Sequence, residues 1–275
     1  MAPAVPRPPR AASRRAGRLG PAERGGETGP VTAGAQAQVA ARVPGAAALG
    51  LLPPPSARLL PATVLTDPDW TAERLAGLGV RYAVDDRAVD DRAVGDRRVL
   101  ATVWWYSASS VLLTPALAGL ATGLPLSARL ADTSLAVLAG GTPVAAVSSA
   151  SGGDLAGQLR ETLSTVVGAV AAAGEVRPRP LWAIAADSLA NRLLAIGRAL
   201  GEVPRVTALA GPLAVAVGAP LPVPRYVDVA GVRFTRRVSC CLLYRLPPEP
   251  LCTSCPRRPP AERRVLLEDT AERMR

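Results

Sequence analysis

Between Leu181 and Leu200 the apolar residues Leu181, Ala185, Leu189, Leu193, Ile196 and Leu200 recur at intervals of four, four, four, three and four. That spacing places them on one stripe of a helix, and Gly201 is suited to end it. Asp187 and Asn191 fall four apart on a neighbouring face. A solvated surface accounts for them as well as a pocket wall does. A second helix is predicted over Asp154 to Ala173, closing at Gly174. A third starts at Asp67-Pro68, where an aspartate cap precedes a proline at the first helical position, and stops near Gly77-Leu78-Gly79. The run from Val99 to Ala128 has no charge. It predicts a helix from Val94 toward Leu113, broken at Thr114-Pro115 because proline lacks a backbone donor, then a second helical piece to Gly123. Short apolar runs at Ser134–Ala139 and Val144–Ser149 flank Gly140-Gly141-Thr142-Pro143, a hairpin signal in which Pro143 suits the turn or the start of an edge strand. Tyr226 to Phe234 alternates apolar and polar positions and predicts a strand or extended segment. Ala261 to Arg275 reads as a charged helix with few large apolar residues, hence a weakly packed one.

The first sixty residues show no such period. They are rich in Pro, Ala, Gly and Arg, and Met1 to Gly25 holds six Arg against one Glu. Such composition buries too little apolar surface to offset chain entropy, so residues 1–60 are expected to be a disordered low-complexity tail, with a helix near Gln36 to Arg42 as its one candidate element. Asp85-Asp86-Arg87-Ala88-Val89 begins a five-residue repeat that runs to Val99. Its period matches neither helix nor strand, and its alternating charge suits a solvated surface. The expected fold class is α+β: a mainly helical domain over 61–232 with a short hairpin, a cysteine loop over 233–258 and a charged helix over 259–275.

The net charge is +10 and all of its cations are arginine. Aromatic residues make up only 3% of the chain, which leaves few platforms for stacking bases, and no helix-turn-helix or zinc-finger spacing occurs; no nucleic-acid partner is expected. The uncharged run is long enough to cross a bilayer, but Ser107, Ser109, Ser110, Thr114, Pro115, Thr122 and Pro125 lie in it, so a buried helix is expected. No secretory signal pattern is visible. Without any His, catalytic triads and Cys/His dyads are excluded. Gly140-Gly141 and Gly152-Gly153 lack the pattern of a phosphate-binding loop.

All four cysteines lie near the C-terminus, as Cys240-Cys241-x10-Cys252-x2-Cys255. Three readings suit such a set. Disulfides need an oxidising compartment. A structural zinc takes four thiolates, usually from two C-x2-4-C knuckles, and Cys240-Cys241 is not a knuckle. A [2Fe–2S] cluster gives each iron two thiolates, so neighbouring cysteines need not converge on one point. The absence of His removes mixed zinc sites and Rieske-type ligation.

Arg236-Arg237-Val238-Ser239-Cys240-Cys241-Leu242-Leu243-Tyr244-Arg245, followed by Leu251-Cys252-Thr253-Ser254-Cys255-Pro256, resembles the C-terminal signature of the FhuF-type ferric siderophore reductases. Leu181-Trp182 with Asn191 in an Ala-rich helix is similar to that family's helix before the cluster. The segment Leu246-Pro247-Pro248-Glu249-Pro250 departs from it, since glycines are usual there. The resemblance implies a [2Fe–2S] cluster on Cys240, Cys241, Cys252 and Cys255 and one-electron reduction of a ferric siderophore. It also implies a separate donor (ferredoxin, flavodoxin or reductase), and a cytoplasmic protein that touches the inner face of the membrane near a siderophore permease. Arg236, Arg237, Arg245 and Asn191 are the candidates for binding substrate or tuning the cluster. An electron-transfer or sensor protein without a siderophore substrate, and a structural zinc protein, are the alternatives.

Overall fold

Proline 115 does not break its helix. The computed structural model describes residues 34–82, 91–246 and 249–274, and in it a single helix runs from Asp91 to Thr122. Five-residue repeats before position 91, the tail before position 34 and Pro247-Pro248 lie outside the described residues. This helix, α3 in chain order, is buried around nearly its whole girth from Val99 to Ala121, as expected of a helix that is apolar on every side. Proline inside a helix costs about 3 kcal/mol. Burial of Leu112, Leu113, Ala116, Leu117 and Ala118 around it outweighs that cost, which is why the expected break at Thr114 is absent.

The chain is mainly helical, and its helices gather on this central rod. After α1 (Ala35–Arg42) and α2 (Pro68–Arg81) come α4 (Leu155–Gly174) and α5 (Pro178–Ala199), both packed against α3. Asp67 caps α2 by accepting from Asp69 N, as the sequence pattern predicts, and Asp154, expected as the first helical residue of α4, instead caps it by accepting from Gly157 N. Gly174, where the sequence closes α4, is its last helical residue; an added Cβ would stand 2.2 Å from Ala101 Cβ. It lets α4 approach α3. The left-handed residue that ends α4 is Glu175. Short helices α6 (Val203–Ala208) and α7 (Ala210–Val217) follow.

Three strands form an antiparallel sheet in the order β1 (Arg58–Pro61), β2 (Thr133–Val137), β3 (Pro143–Ser148). The hairpin β2–β3 lies where the sequence predicts it. The outer edge of β3 would be an open template for further pairing, and the segment expected to be a tail covers it. Ala146 N donates to Gly50 O at 3.3 Å. Gln36 Nε2 donates to Ala146 O and to Leu51 O, each at 2.8 Å, and its Oε1 accepts from Ser148 N at 2.6 Å. Val39, Val43 and Leu51 are buried in the main core. Residues 34–60 therefore belong to the fold, a correction to the expected boundary near 60. Their order comes from one buried amide and a few apolar side chains placed against a distant strand, which leaves no local period to read.

A second correction concerns residues 226–235. They form a hairpin, β4 (Tyr226–Val229) and β5 (Val232–Thr235), turned at Ala230-Gly231, both with positive φ, as a tight two-residue loop requires. The C-terminal helix α8 (Pro260–Arg273) lays Leu267 and Ala271 against Phe234 in a small separate cluster. Val265 and Met274 stay exposed, in keeping with light packing.

Among the described residues no helix is long and apolar enough to cross a membrane. Gly119 tests how tightly α3 is enclosed: an added Cβ would meet Leu124 O at 2.6 Å and Leu126 N at 2.8 Å, both backbone atoms that cannot rotate away. Gly119→Ala is expected to cost about 1–3 kcal/mol, a fall in melting temperature of roughly 2–12 °C for a chain of this size, measured by thermal unfolding. An unchanged midpoint would mean that the 124–126 loop yields freely.

Candidate metal centre

Asp187 is the anchor of the site. It sits on α5, whose start is fixed by Trp105 Nε1 donating to Leu181 O at 2.8 Å, and whose seam with α3 holds Ser188 Oγ against Ser109 Oγ at 2.8 Å. Asp187 is 2% exposed. A carboxylate so buried needs donors, and the chain leaving β5 supplies them. Val238 N donates to Oδ1 at 2.9 Å, Ser239 N and Ser239 Oγ donate to Oδ2 at 3.0 and 2.6 Å, and Arg237 Nε lies 3.5 Å from Oδ2. Asp187 is thus not on a solvated face: it is buried against the arm that carries Cys240 and Cys241.

The turn so held delivers the cysteines. Leu242 follows Cys240-Cys241 with φ of 60°, a left-handed conformation that costs a leucine on the order of 1–2 kcal/mol. It starts the 3₁₀ turn Leu243–Arg245 and aims the Leu242 and Leu243 amides at the sulfurs of Cys240 and Cys241 respectively. On the far arm Cys255 N donates to Cys252 O at 3.1 Å, closing the C-x2-C turn. Arg258 braces that turn: its Nε donates to Cys252 O at 3.0 Å and its Nη2 to Leu251 O, while it pairs with Glu262 in the first turn of α8.

The thiols stand as two pairs. Cys240 Sγ and Cys255 Sγ are 3.8 Å apart, while Cys241 Sγ and Cys252 Sγ both face Arg237 Nη1, at 3.8 and 3.5 Å. Cys252 as a neighbouring donor, the Leu243 amide and Arg237 hold the Cys241 thiol well below the usual thiol range despite its burial. The Cys252 thiol is pushed up by its neighbour Cys241 and by burial. Burial, ahead of the Cys255 contact, raises Cys240. Cys241 and Cys255 are buried, Cys240 is half-buried, and Cys252 is exposed. Among the described residues no three or more Cys, Asp or Glu side chains are grouped to hold one metal ion. Two pairs of thiols are what a two-iron group requires, each iron taking two.

Arg237 lies between Asp187 and the sulfurs of Cys241 and Cys252. Its side chain is 4% exposed, stacked with its guanidinium carbon 4.9 Å from the centre of the Tyr106 ring. Nη1 points at Cys252 Sγ (3.5 Å) and Cys241 Sγ (3.8 Å). Nη2 is buried and finds no partner among the described residues. A buried donor without an acceptor is costly, and a negatively charged group on the thiols would satisfy it. The donor set therefore fits a cluster of iron and sulfide.

The other candidates fall elsewhere. Arg236 and Arg245 are exposed; Asn191 is half-buried on α5, one turn beyond Asp187. Arg237 cannot be reached as an exposed cation, so of the two roles considered for it, direct substrate capture is not available. Tyr106 and Arg258 were not legible from sequence as site residues. Tyr106 stands at the end of the Trp104-Trp105-Tyr106 run as the half-buried member, and burial raises its phenol. Arg258 follows the second cysteine pair by three residues, but nothing in that spacing marks its bonds to backbone carbonyls.

Residues 237–257 match the family model described as the FhuF 2Fe-2S C-terminal domain, consistent with the FhuF-type family. The match begins at the buried arginine and spans both cysteine pairs. No curated protein matches the chain.

Proposed function

We propose that Cys240, Cys241, Cys252 and Cys255 hold a [2Fe–2S] cluster, and that the protein uses it to reduce a ferric siderophore by one electron, releasing Fe(II). The observation that carries the reading is the placing of Cys241 and Cys252 against a buried guanidinium with an unpartnered donor, and of Cys240 3.8 Å from Cys255, inside the segment matched to the 2Fe-2S domain. When bound, such a group supplies a one-electron carrier at the end of the chain. The protein's residues do the rest. Arg237 balances negative charge in the dry side of the site. The Leu242 and Leu243 amides donate to sulfur, which favours the more negative, reduced form. Exposed Cys252 marks the edge nearest solvent, and exposed Arg236 and Arg245 on either side of the Cys240-Cys241 arm draw anionic chelates toward it.

The substrate's chemistry suits a single electron. Hard oxygen donors hold Fe(III) tightly and Fe(II) more weakly, so reduction by itself loosens the metal. The electron comes from a separate ferredoxin, flavodoxin or reductase. This reading places the protein in the cytoplasm, near a siderophore permease at the inner face of the membrane. The exposure of Cys252 favours a second reading as well, electron transfer to a protein partner without siderophore, because a partner could meet that edge directly.

Anaerobically purified protein is expected to be brown, with two irons and two sulfides per chain. Chemically reduced protein is expected to be reoxidised by ferric siderophore, with Fe(II) appearing in a ferrous chelator. A colourless protein carrying one zinc overturns the cluster. A cluster that stays reduced with every siderophore class, yet oxidises with a protein acceptor, selects the second reading.

A further inference from the structure

Arg237 and Asp187 form a buried pair whose geometry is more specific than charge balance demands. Nε of Arg237 faces Asp187 Oδ2 at 3.5 Å, a long contact, whereas the short bonds of Asp187 go to the backbone on the C-terminal side of that arginine: Val238 N, Ser239 N and Ser239 Oγ. Asp187 thus holds the turn that carries Arg237 more firmly than it holds the guanidinium. The guanidinium is clamped flat by Tyr106 and spends Nη1 on two sulfurs. Only Nη2 is left, buried and without a partner among the described residues.

We infer that Arg237 Nη2 is a directed hydrogen-bond donor to the sulfur of the bound group, and that Asp187 is the positioning residue that aims it by locking the 237–239 turn. The inference rests on the proposed cluster and adds how this chain sets its potential. A donor to cluster sulfur stabilises the reduced form and raises the midpoint potential. A negative charge nearby does the opposite. The two roles open to Asp187 therefore have opposite signs. If its carboxylate acts only through its charge, neutralising it raises the potential. If it aims Arg237, neutralising it frees the turn, withdraws the donor and lowers the potential.

The test is the midpoint potential of full-length protein, with iron and sulfide content measured alongside, for Asp187→Asn, Arg237→Gln, Arg237→Lys and the double variant Asp187→Asn/Arg237→Gln. Each single variant is expected to be shifted negative. Lysine keeps the charge but has no second nitrogen to offer, so Arg237→Lys is expected to move toward Arg237→Gln rather than remain at the wild-type value. In the Arg237→Gln background the amide ends where Nε stood, two bonds short of Nη2, so no donor reaches the position that Asp187 would aim at, and adding Asp187→Asn is expected to shift the potential positive relative to Arg237→Gln alone. A positive shift for Asp187→Asn by itself overturns the positioning role. Arg237→Lys indistinguishable from wild type overturns the directed donor. Should Asp187→Asn fail to keep its iron, the lysine variant still decides the donor, and loss of iron together with loss of the folded turn at 237–239, read by amide hydrogen exchange, upholds the anchoring. Wild-type protein that takes up no iron and sulfide sinks the cluster proposal itself, a result distinct from a cluster that is present and insensitive to these changes.

Discussion

A chain beginning at Pro61 is expected not to fold. The cut removes α1, most of β1 and the loop that covers β3, and with them the buried side chains Val39, Val43 and Leu51. Full burial of a Val or Leu stabilises by about 1.5–3 kcal/mol, so these three alone amount to roughly 5–9 kcal/mol as an upper figure. Whole domains are stable by about 5–15 kcal/mol. The cut also strips Ala146 O and Ser148 N of Gln36 and opens the β3 edge to other chains. Soluble yield and far-ultraviolet circular dichroism check this against a chain beginning at Gly34, which keeps every one of these contacts. Gln36→Leu isolates the polar part. It leaves the three backbone groups served by Gln36 short of a partner, at about 1–3 kcal/mol for each that water cannot reach. Soluble, cooperatively unfolding protein from the Pro61 start would show that the edge cover is dispensable.

Replacing Cys241 by Ser is expected to abolish the metal centre while the helical body survives. Cys241 is buried, faces Arg237 and Cys252, and takes the Leu243 amide on its sulfur. A serine hydroxyl is a poor substitute for a thiolate, which is the ligand iron–sulfur groups require. Iron and sulfide are expected to fall to a small fraction of wild type, and ferric siderophore reduction with them, with unchanged helical circular dichroism because the core around α3 contains no cysteine. Arg236→Ala and Arg245→Ala provide the contrast. Both side chains are exposed, so iron content is expected to persist while association with anionic ferric siderophores weakens, more at low salt than at high because exposed charge is screened. Full iron content in Cys241→Ser would remove this cysteine from the ligand set.

The cysteine spacing, the apolar stripe of α5, the aspartate cap at 67 and the β2–β3 turn were all readable along the chain, because each depends on residues within a few positions of one another. Tertiary structure alone decided the rest. Asp187 lies about fifty residues before the turn that it anchors, and in sequence it is one acid on an Ala-rich helix; only the packing of α5 beside the strand that ends at Thr235 shows that its partners are backbone amides. Arg237 and Arg236 are adjacent and chemically identical, yet one is buried on Tyr106 and the other faces water, a division made by which side of the turn meets α3. Gln36 is a polar residue in an unpatterned segment, and its role exists only because β3, some 110 residues away, ends the sheet. Pro115 was read by its local cost, which burial of its neighbours outweighs. Local rules find elements and ligand motifs; where a buried polar group finds its partner depends on contacts that no short window of the chain contains.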